Sequence, residues 1–180
     1  MGSRWKPLGW LGIGVLVGIT TAPPTAAQGR HVSPRDTSRA TIGGAKLMVD
    51  YGRPSKRGRV IFDGLVPYGR VWRTGANQAT HVVTELPLVV GKTTIPAGAY
   101  TLWTIPDKAG WTLIINKQTG QWGTDYNEAS DLVRLDMEVE VLPAPVEQLT
   151  IKLVPTAGRG GALRIEWDRT GAVAQFSVSQ

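Results

Sequence analysis

The chain has 180 residues, carries a formal charge of +6 and contains no cysteine. Without thiols there is no disulfide framework and no Cys-based metal site, so stability must come from packing and hydrogen bonding. With two histidines and no HxH or HExxH spacing, a zinc centre is not expected, and neither is an organic cofactor.

The chain opens with Arg4 and Lys6, followed by the uncharged apolar run LGWLGIGVLVGI at residues 8–19 and the small, Pro-containing TTAPPTAA at 20–27. That order is the layout of a secretory signal peptide, and the run falls short of the roughly 20 residues a membrane span needs. Residues 1–27 are therefore expected to be cleaved, giving an exported protein, periplasmic or secreted, with no lasting membrane anchor. Cleavage would take the formal charge to +4. Residues 28–44 begin polar (QGRHVSPRDTSRAT) and read as a flexible leader with room for one pairing segment, and 45–180 as one domain.

From there the apolar residues recur with period two, the pattern of half-buried strands. Leu47, Val49 and Tyr51 share one face. Residues 59–62 are expected to form the next strand, joined to the first by a hairpin loop over Pro54 to Gly58. Residues 79–86 and 88–90 follow, broken at Pro87. A turn over Ile95, Pro96, Ala97 and Gly98 leads to strands at 99–105 and 111–116. Residues 124–131 could form a helical turn or two. The strongest alternation is Val133, Leu135, Met137, Val139, Val141 against Arg134, Asp136, Glu138, Glu140. Leu149, Ile151, Leu153 and Leu163, Ile165, Trp167 repeat it, and 172–178 closes the chain. Nine or ten short strands with Gly- and Pro-rich turns predict an all-β fold, an antiparallel β-sandwich with at most one short helix.

Residues 51–74 (YGRPSKRGRVIFDGLVPYGRVWRT) hold six basic side chains and one acid, Asp63. Arginine presents a planar fork of donors suited to carboxylate, phosphate or sulfate. The candidate ligand site is Arg53, Arg59, Tyr68, Trp72, Arg73 and Asn77, aided by the Tyr51 hydroxyl, with Asn116, Lys117 and Trp122 as a second wall. A small anionic or glycan-type ligand is the expected partner, and nucleic acid is not, since no recognition motif occurs. Lys56 and Arg57 read instead as a hairpin tip, and the basic strand could lie against the acid-rich stretch 125–147. Trp103, Trp111 and Trp167 read as core. Rival readings are a metal-independent hydrolase or isomerase of cell-envelope material, with His81 or an acid as base, and an envelope assembly protein. Ser55 lacks the surroundings of an activated nucleophile.

The segments YGRPSKRGR, VPYGRVWRTGANQAT, IPAGAYTLWTIP and WTLIINKQTGQWG resemble an exported bacterial family, domain of unknown function 2911. The likeness covers about residues 45–167 and implies one exported β-rich domain without an assigned activity. Where that family reads Asn-Glu-Ala-Thr, this chain has Asn77, Gln78, Ala79 and Thr80. A role for that carboxylate could not be filled by Gln78.

Overall fold

The computed structural model describes residues 1–2 and 33–179. The signal-peptide reading and the first part of the leader thus lie outside the described residues. The strands are β1 (Arg35–Ile42), β2 (Ala45–Gly52), β3 (Thr80–Thr84), β4 (Leu88–Val90), β5 (Thr93–Ile95), β6 (Gly98–Ile105), β7 (Trp111–Asn116), β8 (Asp131–Pro155) and β9 (Gly160–Val178). They form one nine-stranded antiparallel sheet in the order β1-β2-β3-β6-β7-β8-β9-β4-β5. A single 3-10 turn, Glu128–Ser130, is the only helical element among the described residues. No helix there is long and apolar enough to cross a membrane.

The fold is all-β, as the alternation predicts, and its layers come from one sheet turned back on itself. Two long strands do the turning. β8 pairs with β7 through its first residues and with β9 afterwards, and its register shifts twice, between Val141 and Val146 and between Val146 and Thr150. Opposite the second shift, Asp168 has φ 53°, a left-handed backbone that breaks the extended run of β9. Such irregularities bend strands and let a sheet curl. The curl brings the first strands back to β8. The Leu153 amide donates to Ser38 Oγ on β1 at 3.1 Å, and Leu149 N donates to Pro54 O at 3.0 Å.

The main core has Leu47, Val49 and Tyr51 of β2 meeting Leu149, Ile151 and Leu153 of β8 and Ile165 and Trp167 of β9, and a smaller cluster gathers Ala79, Trp103 and Ile114. Trp103, Trp111 and Trp167 are all buried, as their strand positions predict. The bulge has a visible cost to the simple alternation. Val141, expected on the apolar face, is 83% exposed, while Leu142 is buried. An irregularity of one residue exchanges the two faces of a strand, and the change comes where the register shifts.

Two further expectations change. Residues 35–42 of the leader are a full strand, paired with β2 from Arg35↔Gly52 to Ile42↔Ala45. Because β2 is thereby paired on both sides, by β1 and β3, residues 59–62 have no edge to join and the expected hairpin does not form. Ser55 instead bridges Gln148 of β8, and Lys56 N donates to Glu147 O at 2.7 Å. The chain then runs as a long connection before entering β3.

Candidate functional site

That connection leaves the end of β2 and returns across it. At Gly52 a side chain would collide with the Ala76 carbonyl, and at Gly75 it would come 2.9 Å from Thr80 Oγ1. The two passes therefore touch backbone to backbone, which only glycine permits. Thr74 and Asn77 have φ of 51° and 65°, a region that β-branched threonine seldom enters. Thr74 is fully buried and held by its Oγ1 contact with Thr104 Oγ1 at 3.1 Å and by Thr80 Oγ1 donating to its carbonyl at 2.8 Å. Of the five non-glycine residues with positive φ, Arg57, Thr74, Asn77 and Asp168 line or directly adjoin the same cavity. Backbone strain of this kind costs roughly 1–3 kcal/mol per residue and gathers at ligand sites.

The cavity has a volume of about 590 Å³. Arg53, Arg57, Arg59, Arg73 and Asn77 line it, together with Ser33, Pro34, Pro54, Ser55, Leu65, Val66, Trp72, Gly75, Ala76 and Trp167. No aspartate or glutamate is among them. The half-buried Trp72 stacks on Trp167, with centroids 6.1 Å apart and planes 16° apart, so an indole pair forms part of the wall. Phe62 and Trp111 brace Trp72 edge-on at 6.3 and 6.1 Å.

The four guanidinium groups are not equivalent. Arg53 is committed to the fold. Its Nε donates to Leu149 O at 3.0 Å, Nη2 to Thr150 Oγ1 at 3.1 Å and Nη1 to Asp36 Oδ2 at 3.1 Å. It staples β1 to β8 at the cavity edge, which corrects its expected role as a free ligand group. Arg59 is held by carbonyls alone, Nε to Lys56 O at 3.0 Å and Nη2 to Ser55 O at 2.5 Å. Arg73 donates from Nε to Gly75 O at 3.4 Å. Among the described residues no carboxylate forms an ion pair with Arg57, Arg59 or Arg73.

Arg57, expected at a hairpin tip, belongs to the cavity. It sits with Gly58 in a tight turn, φ 50° and 70°, closed by Arg59 N donating to Lys56 O at 3.1 Å. Lys56 is neutralised by Asp168 at 2.6 Å. Among the described residues, the hydrogen bonds of the basic segment to the acid-rich stretch go to Glu147, whose Oε1 accepts from the Arg57 amide at 2.8 Å.

Other expected members lie elsewhere. Tyr68 stacks on Phe62 at 6.4 Å with Lys108 above its ring, and it does not line the cavity. Burial, then Asp63 and Asp107, raise its phenol pKa. The Tyr51 hydroxyl is buried, and burial raises its pKa too. Asn116 is fully buried and structural: its amide donates to Asn127 O and Asp131 Oδ1, both at 2.8 Å, and its oxygen accepts from Gln118 N. Lys117 and Trp122 are exposed outside the cavity, so the second wall is not formed. Trp122 still adjoins the site through Gly123, whose amide donates to Asn77 O at 2.9 Å.

Ser55 Oγ accepts from Gln148 Nε2 at 3.2 Å, whereas His81 lies on β3 opposite Asp50 and Thr101 and does not line the cavity. Gln78 is exposed and bridges Trp122 through backbone. Among the described residues no three His, Asp or Glu side chains gather as a metal site would require.

Fold and cavity together define a class: an antiparallel β-domain with a basic-aromatic hollow built largely by a strained connection rather than by a strand face. By sequence the chain belongs to the family described as protein of unknown function DUF2911, whose model matches residues 33–176. No curated protein and no solved structure matches it significantly.

Proposed function

We propose that this protein is an exported binding domain that holds a small anionic or acidic-glycan ligand in the cavity lined by Arg57, Arg59, Arg73, Trp72 and Asn77. One observation carries the reading: three guanidinium groups share a hollow whose lining contains no acid. Arginine forks clamp carboxylate, phosphate or sulfate through paired hydrogen bonds. The volume lies within the range of small-molecule sites. The half-buried Trp72, backed by the buried Trp167, offers an apolar surface for a ring beside those charges. Export rests on the basic, apolar and small-residue order of residues 1–27.

A ligand that binds only the folded state raises its melting temperature with concentration. Inorganic phosphate, sulfate and a sugar phosphate, at constant ionic strength against chloride, should each stabilise the wild-type chain. Arg59→Ala/Arg73→Ala should melt normally in chloride and lose that response. An unchanged response in the double variant would reject the site.

A further inference from the structure

The rim of the cavity carries a second feature that a site for a free anion does not need. Residues 60–66 form a compact turn, with Leu65 N donating to Val60 O at 3.1 Å, Val66 N to Ile61 O at 2.8 Å and Asp63 N to Val66 O at 3.0 Å. Ile61 and Val66 anchor it in the core, yet Val60 is 71% and Leu65 45% exposed. Gly64 is required there, because a Cβ would come 2.6 Å from the Val60 carbonyl. The aliphatic groups are thus displayed by a built turn, Val60 next in sequence to Arg59 and Leu65 lining the same cavity as Arg57 and Arg59.

We propose that this rim docks on the surface of an anionic phospholipid bilayer. Arg57 and Arg59 would meet lipid phosphates while Val60 and Leu65 enter the headgroup boundary. The occupant is chosen by complementarity. Arg57 and Arg59, which form no ion pair among the described residues, outnumber the one acid of the turn, the exposed Asp63, and so match an anionic surface. Exposed aliphatics at their side gain from leaving water only where an apolar phase adjoins that charge. A soluble sugar or a free phosphate offers no such phase. The proposal shares two arginines with the binding reading but stands on the apolar turn, so Val60, which does not line the cavity, separates them.

The test uses residues 28–180, which contain every strand and the whole core cluster. Sedimentation with vesicles of phosphatidylglycerol and phosphatidylcholine should bind the protein in proportion to the anionic fraction. Pure phosphatidylcholine should bind little. Val60→Ser should weaken vesicle binding roughly fivefold while leaving the thermal response to inorganic phosphate intact. Arg57→Gln should weaken vesicle binding by a similar factor, roughly fivefold. Val141→Ser, at an exposed apolar residue outside the cavity, should change nothing. Vesicle binding that ignores either Val60 or lipid charge would overturn the docking proposal. So would stabilisation by free phosphate with no vesicle binding, a result that would leave the soluble-ligand reading standing.

Discussion

The aliphatic stem of Arg73 lies against the Cα of Gly123, in the space that any side chain at 123 would fill. Because the Gly123 amide also donates to Asn77 O at 2.9 Å, the loop after β7 sets the position of two cavity residues without lining the cavity itself. Gly123→Ala should therefore displace Arg73 and weaken anion binding several-fold, with a stability cost of about 1–3 kcal/mol from overpacking. In an Arg73→Ala background part of that cost should vanish, since the obstructing stem is gone. A double-mutant cycle by urea denaturation measures this, and strict additivity would show that the contact carries no energy.

Arg53 and Arg59 should separate cleanly. Arg53→Ala removes hydrogen bonds to Leu149 O, Thr150 and Asp36 that tie β1 to β8. It should cost about 2 kcal/mol, while the remaining anion response survives. Arg59→Ala leaves every strand pairing intact and should cost little stability while lowering the response. Denaturation midpoints and anion titrations on the same two proteins decide the assignment.

At Arg57 stability and binding should move in opposite directions. Its turn with Gly58 has positive φ at both central positions, the geometry that favours Asn-Gly. Arg57→Asn should raise stability by about 0.5–1 kcal/mol and reduce anion affinity. A calorimetric melting temperature paired with a phosphate titration reads both effects. If the substitution destabilises the fold, the arginine side chain is structural.

Two groups should contribute to the pH dependence of stability. Burial by itself would raise the Glu166 pKa, but Lys152 at 2.7 Å and Arg164 at 3.2 Å outweigh it and hold the carboxyl below its ordinary 4.5. A depressed folded pKa stabilises fully above about 4.5 and loses that contribution as pH falls through the lowered value. Burial first, then the hydrogen bond to Asp131, push the Tyr126 phenol up from 10.0 to about 12. A raised folded pKa stabilises fully below about 10 and loses its contribution as pH climbs towards 12. Glu166→Gln should flatten part of the acid limb and Tyr126→Phe part of the alkaline limb. Denaturation midpoints measured from pH 3 to pH 12 report the slopes, and limbs unchanged by these substitutions would refute the assignment.

Much of the scaffold was legible along the chain because a strand with one buried face writes its period into neighbouring residues. Leu47, Val49 and Tyr51 point inward as their spacing predicts, and Leu163, Ile165 and Trp167 are likewise buried. The alternation failed at Val141, where a register shift inserts extra backbone that no side-chain pattern announces. It failed again at residues 59–62, because whether a short apolar run finds an edge depends on which strands already occupy it. Arg59, Trp72, Arg73 and Asn77, expected together from their density in one segment, do line one cavity. Arg57 reads as a hairpin tip in the sequence, but its pairing with Gly58 is the sign of a fixed turn, and the structure puts it in the cavity lining.

Local spacing and composition by themselves determined that this chain folds as antiparallel β-structure and that its cations concentrate in one segment. Both are properties of residues close together in sequence. Tertiary structure alone decided which of those cations lack a counter-charge. Arg53 loses its freedom to Asp36, brought beside it by β1, and Lys56 to Asp168, placed by the break in β9. Arg57, Arg59 and Arg73 keep theirs because the curled sheet brings no carboxylate into an ion pair with their guanidinium groups, Glu147 being engaged by the Arg57 amide, and ion pairing depends on distances in space that the order of residues does not specify.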